Sequence, residues 1–353
     1  MARVLRTVAA KGRFAVPVRV LLTTLETPSG LALQKTLHNY ALEIFYGDAR
    51  DAAQGFAHSV SPYCIPLPAA DSADFVDAVL FACDRHDIDV VIPARLDHMR
   101  ALAYARERIE SFGVRIVGAS ASAIERCLDR WEGACAFRRE GIAPSRVARL
   151  DEHFDRRAWQ LPLEVRSCHV DAAPPAVIIQ RWSELEPYLT MRDFFVTEVS
   201  PGVDYVVDML LSPVGTVLAA VPYHFVSGEV GASLTLRTVR DEYIVSIARM
   251  AVLLRGAPAL STVYLRVDED GASHVYDVLP GFSSLITVAA LAGVNLPWLA
   301  VLGALGVSTL PAGEPFREIT ARRDWSDRII AAPARPSLLP LRAIRNDMSS
   351  LDR

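Results

Sequence analysis

The amino-acid sequence predicts an α/β protein that becomes α+β in its C-terminal part. Three observations carry the prediction. Residues 17–118 alternate short apolar runs with helical patterns, as a parallel sheet with crossover helices requires. From Ser120 onward the strands are short and several pair through turns, which belongs to antiparallel sheet. The 353-residue chain is 51% apolar, enough for two or three domains of about 150 residues each.

Within the first part, residues 18–22 read as a first strand. The turn Thr27-Pro28-Ser29-Gly30 leads into a helix over 31–40. Residues 42–46 form a second strand, stopped at Gly47-Asp48. Residues 74–86 form an amphipathic helix with Phe75, Val76, Val79, Leu80 and Cys83 on one side. A third strand (89–93), a helix (98–112) and a strand (114–117) complete the unit. Ser122 then caps a helix that Gly141 ends near Glu140. Short strands follow at 163–167 and 176–180, a helix at 183–189 and a strand at 194–199. Residues 204–211 and 216–223 read as a hairpin across Ser212-Pro213-Val214-Gly215, and 240–254 as a helix. A second hairpin opens at Tyr264 and turns at Asp268-Glu269-Asp270-Gly271. It closes in Asp277-Val278-Leu279-Pro280-Gly281-Phe282-Ser283.

Composition removes several function classes. The net charge of -4 gives no basic surface for nucleic acid or an anionic membrane. The five cysteines (Cys64, Cys83, Cys127, Cys135, Cys168) contain no Cys-x-x-Cys pair, so neither a disulfide framework nor a zinc site is expected. The N-terminus lacks an apolar run followed by a small-residue cleavage site, which reads as a cytoplasmic protein. Residues 285–307 carry no charge and are long enough to span a bilayer. Gly293-Val294-Asn295-Leu296-Pro297 breaks them into two short helices, the second capped by Asn295 with Pro297 in its first turn, so no membrane span is expected. Lys11 and Lys35 are the only lysines.

The co-linear order of these features resembles the ATP-grasp superfamily, in its carbamoyl-phosphate-synthase-like, carboxylate–amine ligase group. The resemblance is carried by the Gly turn near residue 30 and Ile-Asp-Val-Val-Ile-Pro near residue 90. It continues through Leu128-Asp129-Arg130, Gly141-Ile142-Ala143-Pro144, the strand 163–167, residues 195–208 and the hairpin 264–277, so that it spans 17–308. It implies an N-terminal Rossmann-like parallel-sheet domain (1–118), a small lid subdomain (119–192), a C-terminal antiparallel-sheet domain (193–331) and a tail (332–353). It also implies binding of ATP or ADP with magnesium, and activation of a carboxylate through an acyl phosphate that an amine then attacks.

The residues depart from that pattern. The family typically has Glu-x-Asn-Pro-Arg where this chain has Asp277, Leu279 and Gly281, which leaves Asp277 as the metal candidate. Tyr264 stands where an oxygen-bearing Gln, Asp or Glu is usual. Arg130 and Arg166 occupy the phosphate-lysine positions. They are either adapted phosphate contacts or salt-bridging arginines, since arginine keeps the charge but changes its plane and reach. The lid loop, His169 to Pro175, contains no glycine and two prolines without N–H groups. Glu198 and Asp204 match adenine and ribose contacts, or are strand-end residues. Arg95, Asp97 and His98 follow the third strand at the carboxyl edge where such sheets bind ligands. With Ser283 they are the candidates for the substrate cleft. Cys168 beside His169 is a weak nucleophile candidate, because neighbours on a strand face opposite sides.

The expectation is a degenerate ATP-grasp protein in which nucleotide and magnesium binding is weak or absent. It would act as a binding or partner protein, or as a repurposed enzyme of a biosynthetic pathway. The alternative is an active ATP-dependent carboxylate–amine ligase with divergent phosphate and metal residues. The expected partners are a small-molecule ligand in the interdomain cleft, and a second copy or an active ATP-grasp paralogue.

Overall fold

The computed structural model describes residues 8–9, 13–14, 17–48, 63–143, 146–151, 153–170, 176–191, 193–199, 201–228, 233–257, 259–307 and 316–324. A two-stranded ribbon, β1 (Val8–Ala9) with β2 (Arg13–Phe14), precedes a five-stranded parallel sheet. That sheet runs in the order β5 (Cys64–Pro66), β4 (Leu42–Asp48), β3 (Val18–Leu22), β6 (Val90–Ile92), β7 (Arg115–Ile116). Helices α1 (Pro28–Leu37), α2 (Phe75–Arg85), α3 (Leu96–Tyr104) and α4 (Arg106–Ser111) connect its strands. Strand alternation sends Val18, Val20 and Leu22 to one face, and Leu21 to a second core with Phe75, Val79 and Ile88. The expected helix over 98–112 is two helices, broken at Ala105. There Arg106 gives its guanidinium to the carbonyls of Ile116, Gly118 and Ala119.

The expected helix over 122–140 also divides, into α5 (Ala121–Leu128) and α6 (Arg130–Arg139). Asp129 sits between them in an extended conformation, and its carboxylate accepts from the Glu132 N–H at 2.8 Å. An aspartate that offers its own cap to the next turn ends one helix and starts another. Ile124, Cys127 and Phe137 of these helices share a core with Val207, Met209, Val263, Val275 and Val278 of the C-terminal sheet. Both helices therefore pack as part of the C-terminal unit. The lid is a four-stranded antiparallel sheet ordered β10 (Val177–Ile179), β9 (Leu163–Ser167), β11 (Phe194–Glu198), β8 (Val147–Arg149), with α7 (Trp182–Leu189) beside it. Its small core of Leu150, Trp159, Leu163, Val165, Ile179, Leu185 and Val196 is its own. It reaches past the boundary read at 192, because Phe194–Glu198 is an interior strand of this sheet.

The C-terminal sheet is antiparallel and six-stranded. Its order is β16 (Ser273–Pro280), β15 (Leu260–Asp268), β12 (Gly202–Leu211), β13 (Val217–Gly228), β14 (Leu234–Thr238), β17 (Thr320–Arg323). Helix α8 (Glu242–Leu254) covers one face. The other face packs against α9 (Ile286–Ala292), α10 (Leu296–Ala304) and strands of the N-terminal sheet in one continuous core. The uncharged stretch breaks as expected. Gly293 takes φ 112°, Asn295 caps Trp298, and α9 and α10 diverge by 96°. Among the described residues no single helix is long and apolar enough to cross a membrane.

One buried charge ties α6 to α8. Arg255 is 1% exposed and donates to Glu132 Oε2 at 2.5 Å and to the Asp129 carbonyl at 3.0 Å. Arg255→Ala removes the cation that pairs with Glu132 and leaves a void, and is expected to cost about 3 kcal/mol in urea unfolding. Glu132 is half-exposed, so Glu132→Gln is expected to cost less than half as much.

Candidate active-site cleft

Two cavities meet along the edge strand β16 and its neighbour β15. The first, about 400 Å³, lies between the lid and the C-terminal sheet and includes Arg130, Arg166, Asp204, Tyr264, Arg266, Asp277 and Leu279 in its wall. The second, about 360 Å³, lies between the carboxyl edge of the parallel sheet and the same strands. Its wall includes Arg95, Thr262, Tyr264, Leu279, Gly281 and Ser283. Tyr264 and Leu279 line both cavities and separate them. Burial, then the nearby Asp208 and Asp277 charges, hold the Tyr264 phenol well above its ordinary pKa.

Local structure sets the first cavity's charges. The Asp129 cap places Arg130 at the first position of α6, where its N–H reaches the Cys168 carbonyl at 2.7 Å. Its Nε donates to Asp277 Oδ2 at 2.8 Å. Asp277 is only 6% exposed, and its Oδ1 accepts the Val278 N–H at 3.1 Å. Arg166, on β9, donates from Nη1 to the Tyr276 carbonyl at 2.8 Å and holds its Nε 3.7 Å from Glu164 Oε1. Asp204 accepts a two-point bond from Arg266, with both distances 2.7 Å. The Tyr276 ring lies 5.7 Å from the guanidinium carbons of Arg166 and Arg266. Each of the three arginines thus has a carboxylate partner. Glu198 stands 3.7 Å from Arg146 and is outside the cavity wall.

The second cavity receives fewer of its expected residues. Arg95 lines it and is held by Asp97 through bonds of 2.9 and 2.6 Å. Asp97 itself faces solvent, away from the wall. His98 does not reach the cavity. Because α3 starts at Leu96, its ring turns inward, bonds Thr23 Oγ1 at 2.8 Å and packs 4.8 Å from Phe75. Burial lowers its pKa. Ser283 does line the cavity, and behind it stands a cluster that the sequence reading did not find. Asp208, 1% exposed, accepts from Tyr223 at 2.5 Å and Ser283 at 2.9 Å on Oδ2, and from Thr262 at 2.7 Å on Oδ1. The available signal was a lone carboxylate inside Val206-Val207-Asp208-Met209-Leu210. Cys168 is buried, and burial pushes its thiol up to about 11, which leaves it unreactive.

A Rossmann-like parallel sheet, a four-stranded lid and an antiparallel sheet around one cleft find close structural counterparts. The fold matches L-amino acid ligase from Bacillus licheniformis with TM-score 0.63, 16% identity, 82% of this chain and 74% of that one. It matches a biotin carboxylase–β-γ-ATP complex from Campylobacter jejuni with TM-score 0.65, 10% identity, 85% of this chain and 73% of that one. It matches D-alanine–D-alanine ligase from Bacillus anthracis complexed with ATP with TM-score 0.57, 16% identity, 82% of this chain and 97% of that one. The chain has the ATP-grasp fold. No family sequence profile matches it, and no curated protein does.

The residues of this ATP-grasp cleft fit a magnesium–nucleotide complex poorly. Magnesium needs near-octahedral oxygen ligands. Among the described residues no group of three His, Cys, Asp or Glu side chains converges to hold a metal. Asp277 spends one oxygen on Arg130 and the other on a backbone N–H. Leu279 and Tyr264 supply no carboxylate beside it. Gly281, which stands at the family's arginine position, has φ 99°, and a Cβ there would lie 2.3 Å from Met99 Cε. A side chain at 281 needs Met99 to move and a strained backbone. Lys35 is exposed on α1, so the cleft's cations are arginines. Lid-loop residues 171–175, the tail 332–353 and Lys11 lie outside the described residues.

Two outcomes follow from this geometry. Gly281→Arg is expected to lower stability by about 1–2 kcal/mol in urea unfolding, the cost of a side chain in left-handed backbone. For His98 the fold holds the neutral ring, so its folded pKa is below the unfolded value of about 6.5. That stability is fully present above the unfolded value and is lost as pH falls below it, because the unfolded chain binds the proton first. His98→Gln is expected to lose less stability between neutral and mildly acidic pH than the wild type, measured as the shift in urea midpoint. His86, shifted in the same direction by its own burial, retains a share of the dependence.

Proposed function

We propose that this ATP-grasp-fold protein does not carry out conventional Mg-ATP activation of a carboxylate. It serves as a small-molecule binding or partner protein, or as an enzyme with a repurposed cleft, in a biosynthetic setting. The observation that carries the reading is the Arg130–Asp277 ion pair. It joins the candidate phosphate cation to the candidate metal carboxylate and removes both at once. A triphosphate is held by uncompensated positive charge and by metal. Here the three arginines that line the nucleotide side are matched by Asp277, Glu164 and Asp204. The apolar Leu279 and the neutral phenol of Tyr264 stand between that side and the second cavity, where a transferred phosphoryl group would need stabilising charge.

The competing reading is a working carboxylate–amine ligase. It is favoured by the cavity of about 400 Å³ that retains three arginines. Asp277→Ala separates the two by sign. If Asp277 neutralises Arg130, its removal frees a cation, and ADP binding by calorimetry is expected to strengthen or stay the same, with no dependence on magnesium. If Asp277 holds metal, the wild type binds Mg-ATP tighter than about 1 mM and the variant loses that binding. The latter result would sink the proposal. The partner form of the reading calls for a second copy or an active ATP-grasp paralogue, seen as the mass of the assembly purified from its native cell.

A further inference from the structure

The cluster behind the second cavity holds one buried carboxyl with no cation partner among the described residues. Among the described residues, no arginine, lysine or histidine lies within salt-bridge distance of Asp208. Its two oxygens are satisfied by hydroxyl groups alone, from Tyr223, Thr262 and Ser283. A hydroxyl has one proton and two lone pairs. Thr262 and Ser283 both turn their protons inward to Asp208, so what they offer any ligand is lone pairs. Both also stand in the wall of the second cavity. Ser283 spends one lone pair on the Leu285 N–H at 3.1 Å, and Thr262 keeps both. The carboxylate is thus one hydrogen bond behind an acceptor surface, in a pocket of about 360 Å³.

Other charges near this wall do not supply the missing cation. Arg95 lines the cavity, but its guanidinium is taken by Asp97 through two bonds. Arg323 donates to the Ser284 carbonyl at 3.0 Å and is outside the wall. The remaining lining is mostly apolar, with Met99, Leu96, Leu279 and Phe282 in it beside Ser29, Tyr264 and Ser284. A buried carboxylate is normally paired, and the open space beside this one is where a pairing group fits.

We propose that the second cavity binds a small organic cation through a primary ammonium group, which donates to Thr262 and Ser283 and is paired in charge with Asp208. The apolar lining takes the alkyl part of the same molecule. Burial raises the pKa of Asp208, and the three hydroxyl bonds oppose that rise; a bound ammonium adds the counter-charge that the fold omits. The inference rests on reading this cleft as a ligand site. It makes no use of the nucleotide side, so the two readings fail separately: the calorimetric titration of ADP decides one and the titration below decides the other.

The probes are n-butylammonium, its uncharged isostere 1-butanol and the anion butyrate, titrated into the full-length protein by ligand-observed NMR. The wild type is expected to bind butylammonium at least roughly tenfold tighter than 1-butanol, as a single charge at this range provides, and to show no preference for butyrate. Asp208→Asn is expected to abolish the difference between butylammonium and 1-butanol. Thr262→Val removes a cavity acceptor with little change of shape. It is expected to weaken butylammonium binding about fivefold while leaving 1-butanol unchanged, and it decides the matter if Asp208→Asn does not fold. Equal affinity for butylammonium and 1-butanol in the wild type would overturn the proposal. So would an ammonium preference that survives in every variant that folds.

Discussion

The charge balance of the lid-side cavity depends on the ion pair between Arg130 and Asp277. The partners come from the first turn of α6 and from β16, and both are largely buried, with side chains 17% and 7% exposed. Removal of one partner from such a pair leaves a buried charge without compensation, at about 3–5 kcal/mol. The pair therefore resists being opened by a ligand that offers less. It also fixes where neighbouring groups go. The Asp129 cap sets Arg130 at the helix start, the Arg130 N–H ties that start to Cys168, and Arg166 bonds the backbone of Tyr276 next to Asp277. The lid is fastened to the C-terminal sheet through these contacts.

Around that contact the molecule divides its cleft in two. Strands β15 and β16 carry Tyr264 and Leu279 into both cavities, and the two sides differ in charge. The lid side holds matched pairs of arginine and carboxylate. The other side holds Asp208 behind Thr262 and Ser283 in a mostly apolar wall; its carboxylate has hydroxyl partners and, among the described residues, no cation within salt-bridge distance. Asp208 belongs to the face of β12 whose neighbours Val206 and Leu210 enter the core shared with the N-terminal sheet. Its burial follows from strand alternation, and its polarity is tolerated because Tyr223, Thr262 and Ser283 satisfy both oxygens.

Much of the fold was legible because strong local signals agreed. The apolar run at 18–22, the Phe75 helix and the break at Gly293-Val294-Asn295 each depend on a few adjacent residues. The four-strand lid and its resemblance-based placement were legible only in part. Short strands such as Cys64–Pro66, Val147–Arg149, Leu234–Thr238 and Thr320–Arg323 carry too few residues for a period to show, and they exist because an existing edge pairs with them. Arg130 and Asp277 were both visible as candidates. Their pairing was not, since 147 residues separate them and only the packing of α6 on β16 brings them together. His98 was misplaced for a simpler reason. One turn of helix decides whether a side chain faces the sheet's edge or its core, and the helix starts at Leu96. Asp208 was passed over because a polar residue inside a strand shows its role only once three hydroxyls from other elements surround it.

The central claim is that Asp277 is committed to Arg130 and unavailable to a metal. Manganese reports this most directly, because the free ion gives an electron-paramagnetic-resonance signal that is lost on binding. With ADP present at a fixed concentration, the account predicts that adding the protein leaves the manganese signal where ADP alone sets it, and that Asp277→Ala behaves the same way. A stoichiometric loss of signal in the wild type that Asp277→Ala restores would contradict it.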